Sequence, residues 1–310
     1  MQTADDMTVR THTLAAGLAL ALHIAGASGA QRASGTGDPP LQISHRARAV
    51  APGEVVLVDL KAKSAIQEAQ AQWLKQTLRF YPVEPGWWQG LAPVDVAASA
   101  GRQVLAVRAR ISDGRTLERT YPITIAARTF PARKLTVAPK FVDPPADELP
   151  RIEVERKAVE AIFANPSRER FWNGAFAVPV PGASTSSFGR RTILNGVPRG
   201  QHTGTDFQAA TGTPVVAPNR GRVALAADHY FPGRTIIIDH GLGLYSYLAH
   251  LSEFAVKEGT IVDRGQRIAL SGATGRVTGP HLHWTMRLGT ARVDPLSLVE
   301  VLQKEEGNRR

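Results

Sequence analysis

The sequence predicts a mostly β protein, with a small Ig-like β-sandwich, a connecting helix and a larger antiparallel β domain. Three observations lead there. The 310 residues are 43% hydrophobic, which suits two domains with cores of their own. The 28 glycines and 21 prolines break the chain into turns and short strands. Apolar residues alternate with polar ones in several windows of the first half, and few windows keep a helical spacing.

At the N-terminus, Arg10 precedes an apolar run from about Leu14 to Ala25, followed by the small residues Ser28 and Ala30. This is the shape of a secretory signal covering residues 1–30 and cleaved after Ala30. A run of about a dozen residues falls short of the ~20 that span a bilayer, so no stable membrane anchor is expected after cleavage. The protein is therefore expected outside the cytoplasm, in the periplasm or at the cell wall. With no cysteine it has neither disulfides nor a lipidated N-terminal Cys, and any metal must be held by histidines and carboxylates.

The formal charge is +10, and +11 without residues 1–30, which hold Arg10, Asp5 and Asp6. Such a balance draws a protein to anionic surfaces. The basic residues are scattered and no aromatic-interleaved basic stripe occurs, so nucleic acid is not the expected partner. Polyanions of the wall and membrane are the alternatives.

Residues 31–135 read as the β-sandwich domain. Its strand-like segments are EVVLVDL (54–60), RQVLAVRARIS (102–112) and RTYPITIAA (119–127). In the second, Leu105, Val107, Ala109 and Ile111 alternate with Ala106, Arg108 and Arg110, predicting one wet face. Pro122 predicts that the third lies at a sheet edge. The GWW at 86–88 reads as packing or a turn rather than a sugar platform.

Residues 136–182 read as a linker with a helix. Ile152, Val159, Ile162 and Phe163 have helical spacing, and Glu153 and Lys157 form an i, i+4 pair between proline-marked ends. Residues 183–300 are short strands separated by glycine turns, and 301–310 read as a tail. Within the larger domain GTPVVAPNRGRVAL and GTIVDRGQRIAL echo one another loosely.

Six of the nine histidines fall in this domain. In TGPHLHW, His281 and His283 are two apart, which on a strand turns both rings to one face. In HTGTD, His202 and Asp206 are four apart; a straight strand would separate them by about 13 Å, and Gly204 supplies the bend that could bring them together. A turn in which Asp206 caps a backbone amide is the plainer alternative. Catalytic zinc commonly takes three His or carboxylate ligands and leaves a position for water, so His202, Asp206 and either His281 or His283 would make a set. His250, in phase with Leu244, Ser246 and Leu248, is expected to end a strand and project at its rim. His240 reads as part of a hairpin turn and His229 as part of a surface loop. SGATGRVTG lacks the Lys-Ser/Thr of a phosphate loop, and there is neither an H-E-x-x-H motif nor a G-x-S-x-G elbow.

The run from SFGRR through HTGTDF, GTPVVAPNRGRV, IIIDHGLGLYSYLAHL and RIALSGATGRVTGPHLHW resembles the M23 family of zinc metallopeptidases, the lysostaphin-type peptidoglycan endopeptidases, over about 183–300. The preceding sandwich is similar, more distantly, to domains that accompany M23 domains in exported bacterial proteins. The resemblance implies that His202, Asp206 and His283 hold zinc and that His250 and His281 occupy catalytic positions. It implies a zinc endopeptidase cutting stems or cross-bridges of peptidoglycan, an anionic wall polymer. A non-hydrolytic wall-binding or regulatory protein of the same fold, and a zinc peptidase of secreted proteins, are the alternatives. With no glutamate base, histidine would take the proton or support the oxyanion.

Overall fold

The computed structural model describes residues 40–185 and 187–309, so the expected signal segment lies outside the described residues. Strands β1 (Leu41–Ala47), β2 (Val55–Ala62), β3 (Ile66–Trp73), β4 (Gln76–Glu84), β5 (Trp87–Pro93), β6 (Gly101–Ile111) and β7 (Thr116–Ile125) build the first layer pair. Their order is β1-β2-β5-β4 followed by β3-β6-β7, all antiparallel, with the β3–β4 hairpin joining the two faces. This is the constant-type immunoglobulin arrangement. Val56, Val58 and Leu60 on one face meet Leu105, Val107, Ala109 and Ile111 on the other in one core. Between them on β6, Ala106, Arg108 and Arg110 face water. Pro122 lies on the edge strand β7, which pairs with β6 alone.

β2 does not alternate because it is buried on both faces. Val55 and Leu57 point away from the sandwich core into a second core shared with the C-terminal half. In the GWW stretch, Gly86 sits where a Cβ would lie 2.5 Å from the Ala62 carbonyl oxygen. Trp87 donates through Nε1 to Asp59 at 2.8 Å, and Trp88 packs against the sandwich core.

After the sandwich, β8 (Ala132–Leu135) runs parallel to β9 (Arg191–Leu194), which pairs with β10 (Val197–Gln201). Helix α1 (Leu149–Ala164) has proline in its first turn and ends before Asn165 and Pro166. Its Val159, Ile162 and Phe163 pack on Leu225, Ile237 and Tyr245 of the large sheet, and Lys157 lies 3.4 Å from Glu153.

The large sheet contains β11 (Thr205–Gln208), β12 (Pro214–Val216), β13 (Gly221–His229), β14 (Gly233–Gly241), β15 (Leu244–Phe254), β16 (Ile261–Val262), β17 (Arg267–Ser271), β18 (His281–Leu288) and β19 (Ala291–Val293). Its main path is β11-β18-β15-β14-β13-β16. The two echoing sequences pair reciprocally: β12 with β17 and β13 with β16. The last segment, expected as a tail, continues the helix α2 (Pro295–Arg309). The spacing of Leu298, Val299, Val301 and Leu302 seats it in the second core. Among the described residues no helix is long and apolar enough to cross a membrane.

Candidate metal centre

β18 is central between β11 and β15, and its alternation sorts its side chains. Leu282, Trp284 and Met286 are fully buried in the core, while His281, His283, Thr285 and Arg287 line a cleft of about 480 Å³ on the other face. Residues directly opposite across a ladder share a face. Asp206 on β11 is opposite His283, and Ala249 on β15 is opposite it on the other side. The pairing therefore brings Asp206 to His283 without any special loop.

His202 reaches the same place because the backbone bends at Gly204. A Cβ on Gly204 would lie 2.6 Å from His283 Cε1, His283 Nε2 and Thr285 Oγ1, so the close approach needs glycine. His202 Nε2 and His283 Nδ1 are 3.1 Å apart and stand 3.1 and 2.9 Å from Asp206 Oδ1. Four ligands at roughly 2.0–2.1 Å around a tetrahedral ion are about 3.3 Å from one another, so these three donors fit zinc. They are also the set among the described residues whose ligand atoms cluster closely enough for a shared ion.

The tautomers suit that use. His202 Nδ1 faces the Ser187 carbonyl at 3.1 Å and must donate to it, leaving the Nε2 lone pair free. His283 is turned the other way: Nε2 meets Thr285 Oγ1 at 2.9 Å and Nδ1 faces Asp206. Ser187 Oγ also accepts the Asp206 amide at 2.9 Å, and Asp206 Oδ2 pairs with Arg133 at 3.4 Å. Burial alone would raise the Asp206 carboxyl, but the facing rings of His202 and His283 outweigh it and hold the group well below the usual carboxylate range. Burial lowers His283, opposed by Asp206.

The other two histidines stand beside this set. The ring of His281 is 4.8 Å from that of His250, and His281 Nε2 is 3.8 Å from Asp206 Oδ1. His281 Nδ1 donates to the Gly279 carbonyl at 2.8 Å and His250 Nδ1 to that of Thr274 at 2.9 Å, so both keep a free Nε2. Burial, with the charges of His283 and His281, lowers His250 to about 3. His250 does not end its strand as its phase suggested. It sits inside β15 with φ +65°, at an irregularity in the pairing. Strict alternation would have put it in the core with Leu248; the left-handed residue shifts the phase, so that Leu251 enters the core and His250 lines the cleft.

His240 and His229 lie elsewhere. His240 is fully buried on β14, its Nδ1 on the Arg220 carbonyl at 2.9 Å and its Nε2 on Ser246 Oγ at 2.8 Å. His229 ends β13 and is buried rather than part of a surface loop. Sequence reasoning missed Arg133, which is 73 residues from Asp206 and carries no local signal. It also missed Thr285, although the alternation of His281 and His283 extends to it.

Residues 200–295 match the model of peptidase family M23. The chain carries an M23 peptidase domain. It is 48% identical over 85 residues to the peptidoglycan DD-endopeptidase ShyA of Vibrio cholerae, covering 27% of this chain and 20% of that protein. It is 40% identical over 97 residues to the DD-carboxypeptidase/endopeptidase Mpg of Neisseria meningitidis, covering 31% and 22%. The chain thus spans about a fifth of the length of these curated relatives in the matched regions. A crystal structure from Pseudomonas aeruginosa assigned to peptidase M23 superposes with TM-score 0.63 and 29% identity, covering 81% of this chain and 95% of that one. That likeness takes in the sandwich as well as the M23 domain.

Proposed function

We propose that the chain is an exported zinc endopeptidase that hydrolyses peptide bonds in the stems or cross-bridges of peptidoglycan. The observation that carries this is the cluster of three donor atoms, His202 Nε2, Asp206 Oδ1 and His283 Nδ1, no more than 3.1 Å apart, at the floor of a cleft that two further histidines line. In this reading His202, Asp206 and His283 are the metal ligands. Zinc held there supplies Lewis acidity and a bound water of lowered pKa.

The proton chemistry belongs to His281 and His250. Each commits Nδ1–H to a backbone carbonyl, so each offers Nε2 to the cleft as an acceptor. His250, lowered to about 3, is neutral at physiological pH. A proton taken from the attacking water at Nε2 is then available to the leaving amine, which balances the hydrolysis. The Thr274 and Gly279 carbonyls hold the two rings in orientation, as Ser187 and Thr285 hold the ligand histidines. The wall substrate is the one named for the relative ShyA. A secretory signal over residues 1–30 and a charge of +11 for the remainder support a site of action outside the cytoplasm, against an anionic polymer.

The test is to incubate the purified zinc-loaded chain with peptidoglycan sacculi and with a glycine-rich polypeptide, with and without a chelator. Chelator-sensitive release of peptides from sacculi is expected. Release only from the polypeptide would move the substrate to secreted proteins, and release from neither, despite bound zinc, would refute the reading as an enzyme.

A further inference from the structure

Five arginines line the cleft: Arg133, Arg199, Arg276, Arg287 and Arg292. Three are occupied. Arg133 pairs with Asp206, Arg292 with Asp95 at 3.5 Å, and Arg287 stacks on Phe163 at 4.3 Å with Nε on the Gly289 carbonyl. Arg276 differs. It is partly buried, its guanidinium lies 4.9 Å from the centre of the Phe231 ring, and among the described residues no carboxylate pairs with it. Burial lowers its pKa, and the positive charge of Arg199 lowers it further. Arg199 itself rests on a neutral partner, the Val142 carbonyl. Two cationic groups in one cleft, without an acid between them, repel each other until an anion enters.

The position of Arg276 gives this charge a use. It lies on the loop between β17 and β18, two residues after Thr274 and three before Gly279, whose carbonyls orient His250 and His281. The loop is pinned: the Arg276 amide donates to the Phe231 carbonyl at 2.7 Å, and Gly275, at φ +74°, approaches so closely that a Cβ would lie 2.3 Å from the Gly233 amide nitrogen. A guanidinium held by a pinned loop and an aromatic face is preorganised to bind a planar anion through two parallel N–H donors.

We propose that Arg276, assisted by Arg199, binds a free carboxylate of the peptide substrate next to the scissile bond. The M23 domain then selects carboxylate-bearing stem peptides over uncharged chains such as glycine bridges. This rests on the reading of the site as a peptidoglycan endopeptidase and narrows its substrate class. Arg276 is a specificity residue; it neither holds the metal nor moves the proton.

The test uses binding, so that it does not depend on turnover. The zinc-free full chain is titrated by calorimetry with a synthetic stem tetrapeptide carrying free carboxylates and with the same peptide amidated at every carboxyl. The wild type is expected to bind the carboxylate form about tenfold more tightly or better, as one charge-assisted hydrogen-bonded pair provides. R276Q should abolish the preference and R276K restore part of it, since lysine keeps the charge without the planar fork. R199Q, at an exposed position, should reduce it and serves as the decisive variant if R276Q does not fold. Equal affinity of the wild type for the two peptides, or an undiminished preference in folded R276Q, overturns the proposal. Loss of sacculus hydrolysis with the preference intact would instead count against the proposed reaction alone.

Discussion

Gly204→Ala isolates the geometry on which the metal centre depends. The added methyl would lie 2.6 Å from three atoms, two on the His283 ring and one the Thr285 hydroxyl, against a comfortable separation of about 3.5 Å or more. Roughly an ångström must be recovered. The backbone cannot retreat easily, because the His202 amide is bonded to the Arg190 carbonyl at 2.8 Å and the Asp206 amide to Ser187 Oγ at 2.9 Å, on either side of the bend. The imidazole must therefore move, and moving it breaks the Nε2 contact with Thr285 and carries Nδ1 away from Asp206 Oδ1. Overpacking of this kind costs about 1–3 kcal/mol of stability. Misorienting a ligand histidine typically weakens metal binding by about 10–100-fold, or roughly 1.4–2.8 kcal/mol. Competition with a calibrated chelator measures the affinity, and thermal unfolding of the zinc-free protein measures the stability. Gly200→Ala is the control, since a Cβ there meets nothing within 4 Å. If Gly204→Ala binds zinc as tightly as the wild type, the claim that Gly204 is required by the approach of His283 is wrong.

Two further outcomes are expected. His283→Ala should lose stoichiometric zinc, because it removes one of three donors, whereas His281→Ala should keep the metal and lose peptide release from sacculi; equal zinc content in the two variants would reverse the assignment. His240, lowered to about 4 by burial, is neutral in the native state at pH values where the unfolded chain, with an ordinary histidine pKa near 6.5, is already protonated. Protons then favour the unfolded state, so stability should be level above about pH 6.5 and fall as pH drops from there towards 4, by on the order of 3 kcal/mol from this residue. Urea unfolding of the zinc-free chain at pH 7.5 and 4.5 measures the difference, and His240→Gln should remove that part of it; an unchanged difference in the variant would rule His240 out as its source.

Alternation was enough to read β6 and β18, because each has one face in a core and one in water or in the cleft. It failed where that condition fails. β2 does not alternate, since from Val55 to Leu60 it is buried on both faces, and β3 is rich in Ala, Gln and Glu, residues that favour helices. β3 is a strand because Ala69, Ala71 and Trp73 fill the sandwich core, and because Leu74 and Lys75, both at positive φ, turn the chain back as a two-residue hairpin. The division of labour proposed for His281 and His283 was not legible from spacing, which sends both rings to one face. What separates them is the cross-strand neighbour: His283 is opposite Asp206 and His281 is opposite Gln208. His250 was legible as a histidine on a strand, but its direction depends on one left-handed residue that no alternation rule anticipates.

The sandwich is joined to the metal centre by more than a linker. Glu54, wholly buried at the entry to β2, is held by Arg48 at 2.8 Å and Arg128 at 2.7 Å, and the bonds from these arginines keep its carboxyl low against the pull of burial. Arg48 also reaches Asp294 at 2.6 Å, whose other oxygen accepts the hydroxyl of Thr205 at 3.0 Å, the residue before Asp206. The Val55 amide donates to Ser297 Oγ at 2.9 Å, and Val55, Leu57, Tyr81 and Leu91 share the core beneath β18. Removing the sandwich would expose that core and leave Asp294 without its arginine, next to the strand that carries a metal donor. These contacts favour a sandwich that positions β11 and β18 over one that swings away from the cleft. Control of access then falls to the elements that line the cleft itself, among them β8 with Arg133 against Asp206.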